Sequence, residues 1–201
     1  MAKQPIVDVD RLRQEVQDHY AEVAHNPHGE FHFHTGHAAT TRLGYTEALL
    51  DGFPDACIEA FAGVANLFSF GLPQTGEKVV DIGSGGGLDA LIAARAVGGD
   101  GAVIGVDMTA DMRDRATRNA AALGVSNVEF RDGFAEELPV DDGWADLVIS
   151  NGVLNLVPGK VAAYEEILRV LRPGGRIQIA DVCVEREVPD EAKRDIDLWK
   201  G

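Results

Sequence analysis

The sequence predicts an α/β fold with a mostly parallel sheet and helices on both faces. Three observations support this. After residue 75, short runs rich in Val and Ile alternate with longer helical runs. The first of these short runs ends in a glycine-rich turn that opens a helix. The chain has 201 residues, the size of one domain with a short cap. Alternating strands and helices form right-handed crossovers, which make neighbouring strands parallel.

The first 74 residues predict a helical cap that covers the site and contacts substrate. Apolar residues at spacings of three and four indicate an opening helix: Val9, Leu12, Val16, Tyr20 and Val23. An irregular histidine-rich stretch follows at residues 25–39, and residues 43–71 predict two short helices around Pro54. Pro73 and Gly76 mark the join to the second part of the chain.

Residues 75–201 predict the domain that contains the sheet. Its five strands are expected at residues 78–83, 102–107, 127–132, 146–151 and 176–181. Helices are expected between them at residues 88–98, 109–124 and 159–171, and another at residues 189–199. Several strands end in an acidic residue or Asn, so polar side chains are expected at the carboxyl edge of the sheet, where open α/β sheets bind ligands.

Charge and composition exclude several classes of protein. Eighteen basic against 33 acidic residues give a formal charge of −15, which argues against a nucleic-acid partner or an anionic membrane surface. The polar N-terminus predicts no signal peptide, and no apolar run reaches the ~18 residues of a membrane span. Cys57 and Cys183 form no CxxC pair and are expected to be reduced thiols. The expected location is the cytoplasm.

The turn after the first strand indicates the kind of ligand. A dinucleotide fingerprint needs a third glycine where Leu88 stands, and the Gly-Lys-Ser/Thr of a phosphate-binding P-loop is missing. What remains is an acidic residue followed by three spaced glycines: Asp81, Gly83, Gly85 and Gly87. Asp107 ends the second strand, where a carboxylate can accept hydrogen bonds from a ribose diol. An acidic residue before the turn suits a cationic ligand group such as an amine.

These motifs resemble those of class I S-adenosylmethionine-dependent methyltransferases over residues 78–181. VVDIGSGGGLD is similar to the family's first motif, IGVDMT to its acidic motif, and LRVLRPGGRIQIAD to the run into strand 5. GVDMTADM, ISNGVLNLVPGK and RDIDLWKG most resemble the arsenite methyltransferase-like branch. The resemblance implies a Rossmann-like sheet in the order 3-2-1-4-5, S-adenosylmethionine as cofactor, and methyl transfer to a small molecule. It also implies a C-terminal hairpin for which this chain has no counterpart.

The resemblance also implies roles for individual residues. Gly83, Ser84 and Gly85 would follow the methionine part of the cofactor, with Asp81 near its amino group. Asp107 would hold the ribose, and Met108 would pack on the adenine. Gly133 and Phe134 would edge the adenine, Asn151 would lie beside the sulfonium, and Tyr20 would cover the cofactor. Many relatives have an acidic residue where Phe134 stands. Either Asp132 or Glu136 is therefore expected to replace it, or stacking and backbone contacts alone hold the adenine.

All six histidines fall between residues 19 and 37. In Phe31-His32-Phe33-His34 the residues alternate, so an extended chain turns both imidazoles to one face and both phenyls to the other. His32 or His34 is predicted to be a base or substrate contact, with residues 31–37 folded over the cleft. Local structure is the second alternative: the histidines hydrogen-bond locally while the phenylalanines close over the site, or the phenylalanines dock on a helix at the back of the sheet and leave the histidines solvated. A metal pair is the third.

The sequence departs from arsenite methyltransferases at their thiols. That family's Asn-Cys-Val motif corresponds to Asn151-Gly152-Val153, and its glycine–cysteine–glycine turn to Gly63-Val64-Ala65. Because As(III) is thiophilic, arsenite is not the expected acceptor. A binding protein without turnover, or a subunit completed by a partner chain, is the alternative to an enzyme. The uncovered edge of strand 5 leaves pairing open, either in a homodimer or with a partner chain.

Overall fold

The computed structural model describes residues 7–29, 31–186 and 188–199. Five parallel strands form one sheet in the order β3-β2-β1-β4-β5, which confirms the predicted order. The strands are β1 (Lys78–Ile82), β2 (Ala102–Asp107), β3 (Val128–Asp132), β4 (Ala145–Asn151) and β5 (Leu171–Ala180). Strand order therefore reverses between β1 and β4, and this is where an open α/β sheet binds its ligand.

Eight helices accompany the sheet in the described part of the chain. They are α1 (Val9–His25), α2 (Gly36–Arg42), α3 (Glu47–Leu50), α4 (Asp55–Glu59), α5 (Leu88–Val97), α6 (Ala110–Leu123), α7 (Lys160–Val170) and α8 (Asp190–Arg194). Short 3-10 helices span Leu67–Phe70, Leu154–Leu156 and Ile196–Leu198. The prediction of a single helix over residues 189–199 is wrong, because extended backbone at Asp195 (φ −84°, ψ 105°) ends α8 before the last 3-10 turn. The histidine-rich stretch is not irregular throughout, since α2 begins at Gly36.

Two apolar layers cover the two faces of the sheet. On one face, α5 and α6 pack with residues of the N-terminal region such as Phe61 and Leu67. On the other face, α7 packs through Ile167 against Val80 and Val148. Residues 43–70 thus share a core with α5. The division of the chain into a cap of residues 1–74 and a domain of residues 75–201 stays a prediction.

Helix α1 lies across the carboxyl ends of β1 and β2. Its start is capped by the Asp8 carboxylate, which accepts the backbone N–H of Arg11 at 3.1 Å. Its end is held by Arg115 of α6, whose Nη1 donates to the carbonyl of Ala24 at 2.7 Å. The buried stripe of α1 predicted from the spacing is present at Leu12, Val16 and Val23. This placement lets α1 close the site described below.

The outer edge of β5 has no neighbouring strand among the described residues. Phe70 and Ile177 lie near this edge and are 76% and 49% exposed. Pairing through this edge, in a homodimer or with a partner chain, stays a prediction. No helix in the described ranges is long and apolar enough to cross a membrane.

Candidate active site

A cavity opens where β1, β2 and β4 end, and α1 and residues 60–63 close it from above. Its wall is mostly apolar, with a few polar groups at the strand ends, as is usual for small-molecule sites. All ten residues predicted to contact the cofactor line this one cavity: Tyr20, Asp81, Gly83, Ser84, Gly85, Asp107, Met108, Gly133, Phe134 and Asn151. The structure thus brings together residues that are up to 131 positions apart in the chain.

The glycine turn forms the floor of the cavity. Gly83, Gly85 and Gly87 have φ angles of +69°, +49° and +90°, in the left-handed region that side chains disfavour. A Cβ on Gly83 would also lie 2.3 Å from Val153 Cγ2. Both the backbone conformation and the close approach of the β4 loop therefore require glycine at position 83.

Asp107 joins the end of β2 to this turn. Its Oδ2 accepts the N–H of Gly85, and its Oδ1 accepts the N–H of Thr109, each at 2.8 Å. The two bonds fix the carboxylate at the cavity wall, and each oxygen keeps a lone pair for a further donor. Burial raises the pKa of Asp107 above its usual value, although these backbone hydrogen bonds and Arg113 oppose the shift. The arrangement suits a ribose diol.

Two buried polar atoms at the glycine turn have no partner in the described ranges. They are Asp81 Oδ2 and Ser84 Oγ, and their residues are 2% and 7% exposed. Burial, with the nearby charges of Asp89 and Asp107, raises the pKa of Asp81 well above its usual value. Buried polar groups are normally hydrogen-bonded, so these two atoms indicate a polar ligand. The methionine part of S-adenosylmethionine carries a cationic amine and fits this part of the cavity.

Three apolar residues of α1 form the roof: Leu12, Val16 and Tyr20. Gln17 fastens the helix to the end of β2, because its Nε2 donates to the Met108 carbonyl at 2.9 Å. Met108 in turn packs in the apolar cluster that contains Leu12 and Val16. Burial, with minor contributions from Asp107 and Asp181, raises the pKa of Tyr20 to about 12. The Tyr20 phenol therefore stays neutral, and its role as a cover for the cofactor stays a prediction.

An acidic residue lies at the end of the cavity beyond Asp107. This agrees with the predicted alternative in which Asp132 or Glu136 replaces the acidic residue that many relatives have at the position of Phe134. Asp132 does not line the cavity; its side chain is 75% exposed and pairs with Arg113 at 2.7 Å. Glu136 does line the cavity, with its side chain only 15% exposed, and it pairs with Arg13 of α1 at 3.3 Å. Glu136 is thus the acidic group that lies beside Phe134 in the cavity wall.

Asn151 lines the cavity, but its amide is engaged in a buried network. Its Oδ1 accepts the N–H of Val64 at 2.8 Å, and its Nδ2 donates to Ala65 O at 2.8 Å and to Asp89 Oδ2 at 2.9 Å. The hydroxyl of Tyr45 donates to Asp89 Oδ1 at 2.6 Å. The amide therefore holds residues 63–65 against the end of β4. Asn151 lies in the cavity wall with its amide bound to protein groups, and its place beside the sulfonium stays a prediction.

The two positions where arsenite methyltransferases resemble this chain but carry thiols lie side by side. A Cβ on Gly152 would be 3.1 Å from Val64 Cγ1, and a Cβ on Gly63 would be 2.5 Å from Asn151 Nδ2. Both residues border the loops that form this end of the cavity. Glycine and valine stand at the two positions, so neither supplies a sulfur ligand. Cys57 lines the cavity elsewhere, and burial raises the pKa of its thiol to about 11.

His32 and His34 do not line the cavity, which corrects the prediction that one of them faces the transfer site. Both are exposed, and His34 Nε2 accepts a hydrogen bond from Arg42 at 2.9 Å. As the alternation predicts, the imidazoles and the phenyl rings of this segment lie on opposite sides. The phenyl rings dock on α1, where Phe31 stacks on Phe33 and Phe33 stacks on Tyr20. The segment thus supports the roof from outside, and the imidazoles turn to solvent.

The sequence does not predict a role for several residues that line the cavity, among them Arg13, Phe61 and Asp89. Asp89 belongs to the glycine motif, two residues after Gly87, so its position near the site could have been predicted from the sequence. The position of Arg13 in the cavity wall could not be predicted from the sequence. The spacing of its neighbours on α1 predicts only the apolar face of that helix. In the described ranges, no group of three or more histidine, cysteine or carboxylate side chains is placed to hold a metal.

The strand order, the glycine turn and the aspartate that ends β2 define the class I S-adenosylmethionine-dependent methyltransferase fold. Comparison with known proteins agrees. Residues 73–201 match the family model described as a methyltransferase domain, so the chain belongs to the methyltransferase-domain family.

Individual relatives point to one branch of that family. The chain is 42% identical over 164 residues to the arsenite methyltransferase of Halobacterium salinarum, covering 82% of this chain and 42% of that protein. It is 35% identical over 130 residues to the human arsenite methyltransferase, covering 60% of this chain and 35% of that one. The chain therefore spans only about two-fifths of the length of these relatives.

Solved structures give the same picture. An arsenic(III) S-adenosylmethionine methyltransferase from Chlamydomonas reinhardtii superposes with a TM-score of 0.65 at 39% identity, covering 73% of this chain and 51% of that one. Phosphoethanolamine N-methyltransferase 2 of Haemonchus contortus, solved with S-adenosylhomocysteine, superposes with a TM-score of 0.51 at 28% identity, covering 56% of this chain and 26% of that one. S-adenosylmethionine is the cofactor that this family and this cavity fit.

Proposed function

We propose that this protein transfers a methyl group from S-adenosylmethionine to a small organic molecule. The observation that carries the proposal is the single cavity lined by the glycine turn, Asp107 and the two unpartnered polar atoms of Asp81 and Ser84. Residues 83–85 would hold the methionine part and Asp107 the ribose. The bound cofactor supplies a methyl group on a cationic sulfur, which an acceptor nucleophile can take.

The protein's own contribution is placement and electrostatics. Asp81, Asp89 and Asp107 line the cavity with raised pKa values, and a cationic ligand would stabilise their ionised forms. The apolar side chains of α1 over the cavity would limit the access of water when the cofactor is bound. A transfer of this kind depends mostly on proximity and orientation, and no histidine of the described ranges lines the cavity as a base. The proton acceptors on the wall are carboxylates.

The wall near Gly152 favours an organic acceptor over arsenite. A thiophilic metalloid needs converging thiolates. Gly152 offers no sulfur to the cavity, Val64 lies behind it outside the cavity wall, and burial keeps the Cys57 thiol protonated. An acceptor with an oxygen, nitrogen or carbon nucleophile and an apolar body suits this surface.

Two measurements test the proposal. Titration calorimetry should detect binding of S-adenosylmethionine and S-adenosylhomocysteine, and the absence of binding at millimolar ligand would reject it. A transfer assay with labelled cofactor then compares arsenite with a panel of phenols, amines and small carbon acids. Transfer to an organic acceptor and not to arsenite is expected. Binding with no transfer to any acceptor would favour the alternative of a non-catalytic binding protein or a subunit that needs a partner chain.

The cytoplasm is part of the same proposal. It is supported by Cys57 and Cys183, which are both free thiols, as is usual in a reducing compartment. Fractionation of cells that produce the protein tests this, and recovery outside the cytoplasm would contradict it.

A further inference from the structure

We propose that the Asp89 carboxylate responds to the charge on the cofactor's sulfur: it is ionised opposite the sulfonium and takes up a proton once the sulfur is a neutral thioether. The same carboxylate would then receive the proton that an acceptor loses when it is methylated. The inference rests on the proposed function in requiring that the cavity hold S-adenosylmethionine.

The first observation is a cavity carboxylate without a cation. Asp89 stands in the first turn of α5, lines the cavity and is only 6% exposed. Neutral donors hold both of its oxygens, the Tyr45 hydroxyl at 2.6 Å and the Asn151 amide at 2.9 Å, and no basic side chain of the described residues pairs with it. Each oxygen can still accept another hydrogen. Because a buried charge without a counterion is costly, a cationic ligand would supply what the protein does not.

The other carboxylates of the cavity wall have other partners. Asp107 accepts two backbone N–H groups at the end of β2. Glu136 pairs with Arg13 at 3.3 Å, at the end of the cavity beyond Asp107. Asp81 has one unpartnered oxygen, which suits the amine that S-adenosylmethionine and S-adenosylhomocysteine both carry. Asp89 is left for the group that differs between these two ligands, the sulfur.

The position of Asp89 supports this assignment. Ile82 of β1 is in register with Ser150 of β4, so the glycine turn and Asn151 lie side by side at the carboxyl edge of the sheet. With the ribose at the end of β2 and the methionine part at the glycine turn, the ligand extends from β2 toward β4. The sulfur joins these two parts, and the hydrogen bond from Asn151 holds the Asp89 carboxylate on the β4 side of the turn.

The titratable groups around Asp89 differ from it in how they hold their protons. Two hydroxyls and a thiol stay neutral because burial raises their pKa values: Tyr20, Tyr45 and Cys57. Burial, with the charges of Asp89 and Asp107, raises the pKa of Asp81 well above its usual value. Burial also raises the pKa of Asp107, against its backbone hydrogen bonds. Burial raises the pKa of Asp89 to about 6, so a nearby charge can change its protonation at ordinary pH.

The proposed step conserves charge within the site. An acceptor that loses a proton on methylation forms the new bond to the methyl carbon with its own lone pair, and the electron pair of the broken carbon–sulfur bond stays on the sulfur. The positive charge of the sulfur disappears as the acceptor's proton moves to Asp89. The proton passes to water when the product leaves. A base whose pKa lies near the working pH is the most effective one for such a transfer.

Proton counting by calorimetry tests the inference without any acceptor. Binding of S-adenosylmethionine and of S-adenosylhomocysteine is measured at about pH 5.5 in buffers of different ionisation enthalpy. The two ligands share their amine and carboxylate, so the difference between them reports the charge on the sulfur. If the sulfonium lowers the pKa of Asp89 by about one unit, S-adenosylmethionine should release about half a proton more. The preference for S-adenosylmethionine should also increase about fivefold from pH 5 to pH 7.5.

Three variants assign the effect to one carboxylate. Asp89→Asn should abolish the difference between the two ligands. Tyr45→Phe should retain it but move it to higher pH, because the lost hydrogen bond stabilises the ionised carboxylate. A residue with only a structural role would not change this pH. Asp132→Asn is the matched control, since its carboxylate is exposed and outside the cavity wall, and it should behave as the wild type.

The outcomes separate the two proposals. If the wild type releases equal numbers of protons with both ligands, or if Asp89→Asn keeps the difference, the inference is overturned while the cofactor site stands. A difference that is lost in Asp81→Asn and kept in Asp89→Asn would assign the role to Asp81. If neither ligand binds, the proposed function itself fails. Thermal unfolding checks each variant, and should Asp89→Asn unfold, Tyr45→Phe must shift the pH of proton release or the inference is rejected.

Discussion

The Tyr45 hydroxyl lies 2.6 Å from Asp89 Oδ1 and donates a hydrogen bond to it inside the protein. Asn151 donates to the other carboxylate oxygen at 2.9 Å. The three side chains come from the N-terminal region, the start of α5 and the end of β4. Together with the backbone of residues 64 and 65 they form a buried network in which each group is paired. The network joins the N-terminal region to the sheet beside the cavity.

Tyr45→Phe tests this network. Removing the hydroxyl leaves Asp89 Oδ1 buried without its shortest partner, and we expect the free energy of unfolding to fall by about 1–3 kcal/mol. Urea denaturation at pH 7 measures the change. Tyr164→Phe is the matched control, since Tyr164 is 47% exposed on α7 and should give no change. A Tyr45→Phe protein as stable as the wild type would mean that the network contributes nothing.

Stability should depend on pH through the same carboxylate. Burial raises the pKa of Asp89 from 3.8 to about 6, against the opposing hydrogen bonds from Asn151 and Tyr45. The folded state therefore binds the proton more tightly than the unfolded state. The free energy of unfolding should rise as pH falls from about 7 through 6, with about 2 kcal/mol from Asp89 by pH 4.

Asp81 acts in the same direction, since its pKa is also raised. The opposite effect is expected from three carboxyl groups whose pKa values are lowered: Glu77, Asp146 and Glu166. They decrease the free energy of unfolding only when the pH falls to their ordinary pKa values and below. Urea denaturation at pH 7, 6 and 5 gives the slope, and Asp89→Asn should flatten it. A stability that falls steadily from pH 7 to 5 would contradict the expectation.

Asp107→Ala should weaken the binding of S-adenosylhomocysteine by roughly 1–3 kcal/mol. The variant loses the carboxylate for the ribose and also the acceptor that holds the N–H of Gly85 at 2.8 Å. Calorimetry measures the affinity. Asp132→Ala is the control, because Asp132 is in register on the neighbouring strand but lies outside the cavity wall. If wild type and Asp107→Ala bind S-adenosylhomocysteine with equal affinity, the ribose does not bind at the end of β2.

Gly83→Ala should damage the site more than an equally strained glycine elsewhere. Its Cβ would lie 2.3 Å from Val153 Cγ2, and its φ of +69° disfavours alanine. Gly76→Ala is the control, since its φ is +84° but no atom lies within 4 Å of its Cβ position. We expect Gly83→Ala to show the greater loss of melting temperature and of S-adenosylhomocysteine affinity. Similar losses in the two variants would show that only backbone strain matters at Gly83.

His32→Ala and His34→Ala should leave the affinity for S-adenosylhomocysteine unchanged. Both imidazoles are exposed and outside the cavity wall. Phe33→Ala should lower that affinity, because Phe33 stacks on Tyr20, which forms part of the roof. Calorimetry measures the affinity of the three variants for S-adenosylhomocysteine. A loss of binding in either histidine variant would restore the predicted role of this segment at the site.

The sheet could be predicted from the sequence because its signals are local. In β2, residues 102–106 form a continuous apolar run, and the strand ends in Asp107 at the carboxyl edge of the sheet. Gly83 could be recognised for the same reason, since a tight turn after a strand needs a residue without a Cβ. Nine of the ten predicted cofactor residues belong to motifs in or directly after those strands, and the fold brings them into one cavity with Tyr20 of α1.

What the sequence by itself determined is the order of strands and helices, the glycine turn and the aspartate at the end of β2. Only the tertiary structure decided which surfaces meet across long separations. The alternation of Phe31 to His34 defines two faces, but the packing of the phenyl rings on α1 determined which face meets the solvent. Arg13 meets Glu136, 123 residues away, because α1 lies across the strand ends. No local pattern carries that information, since docking depends on how whole apolar faces fit together.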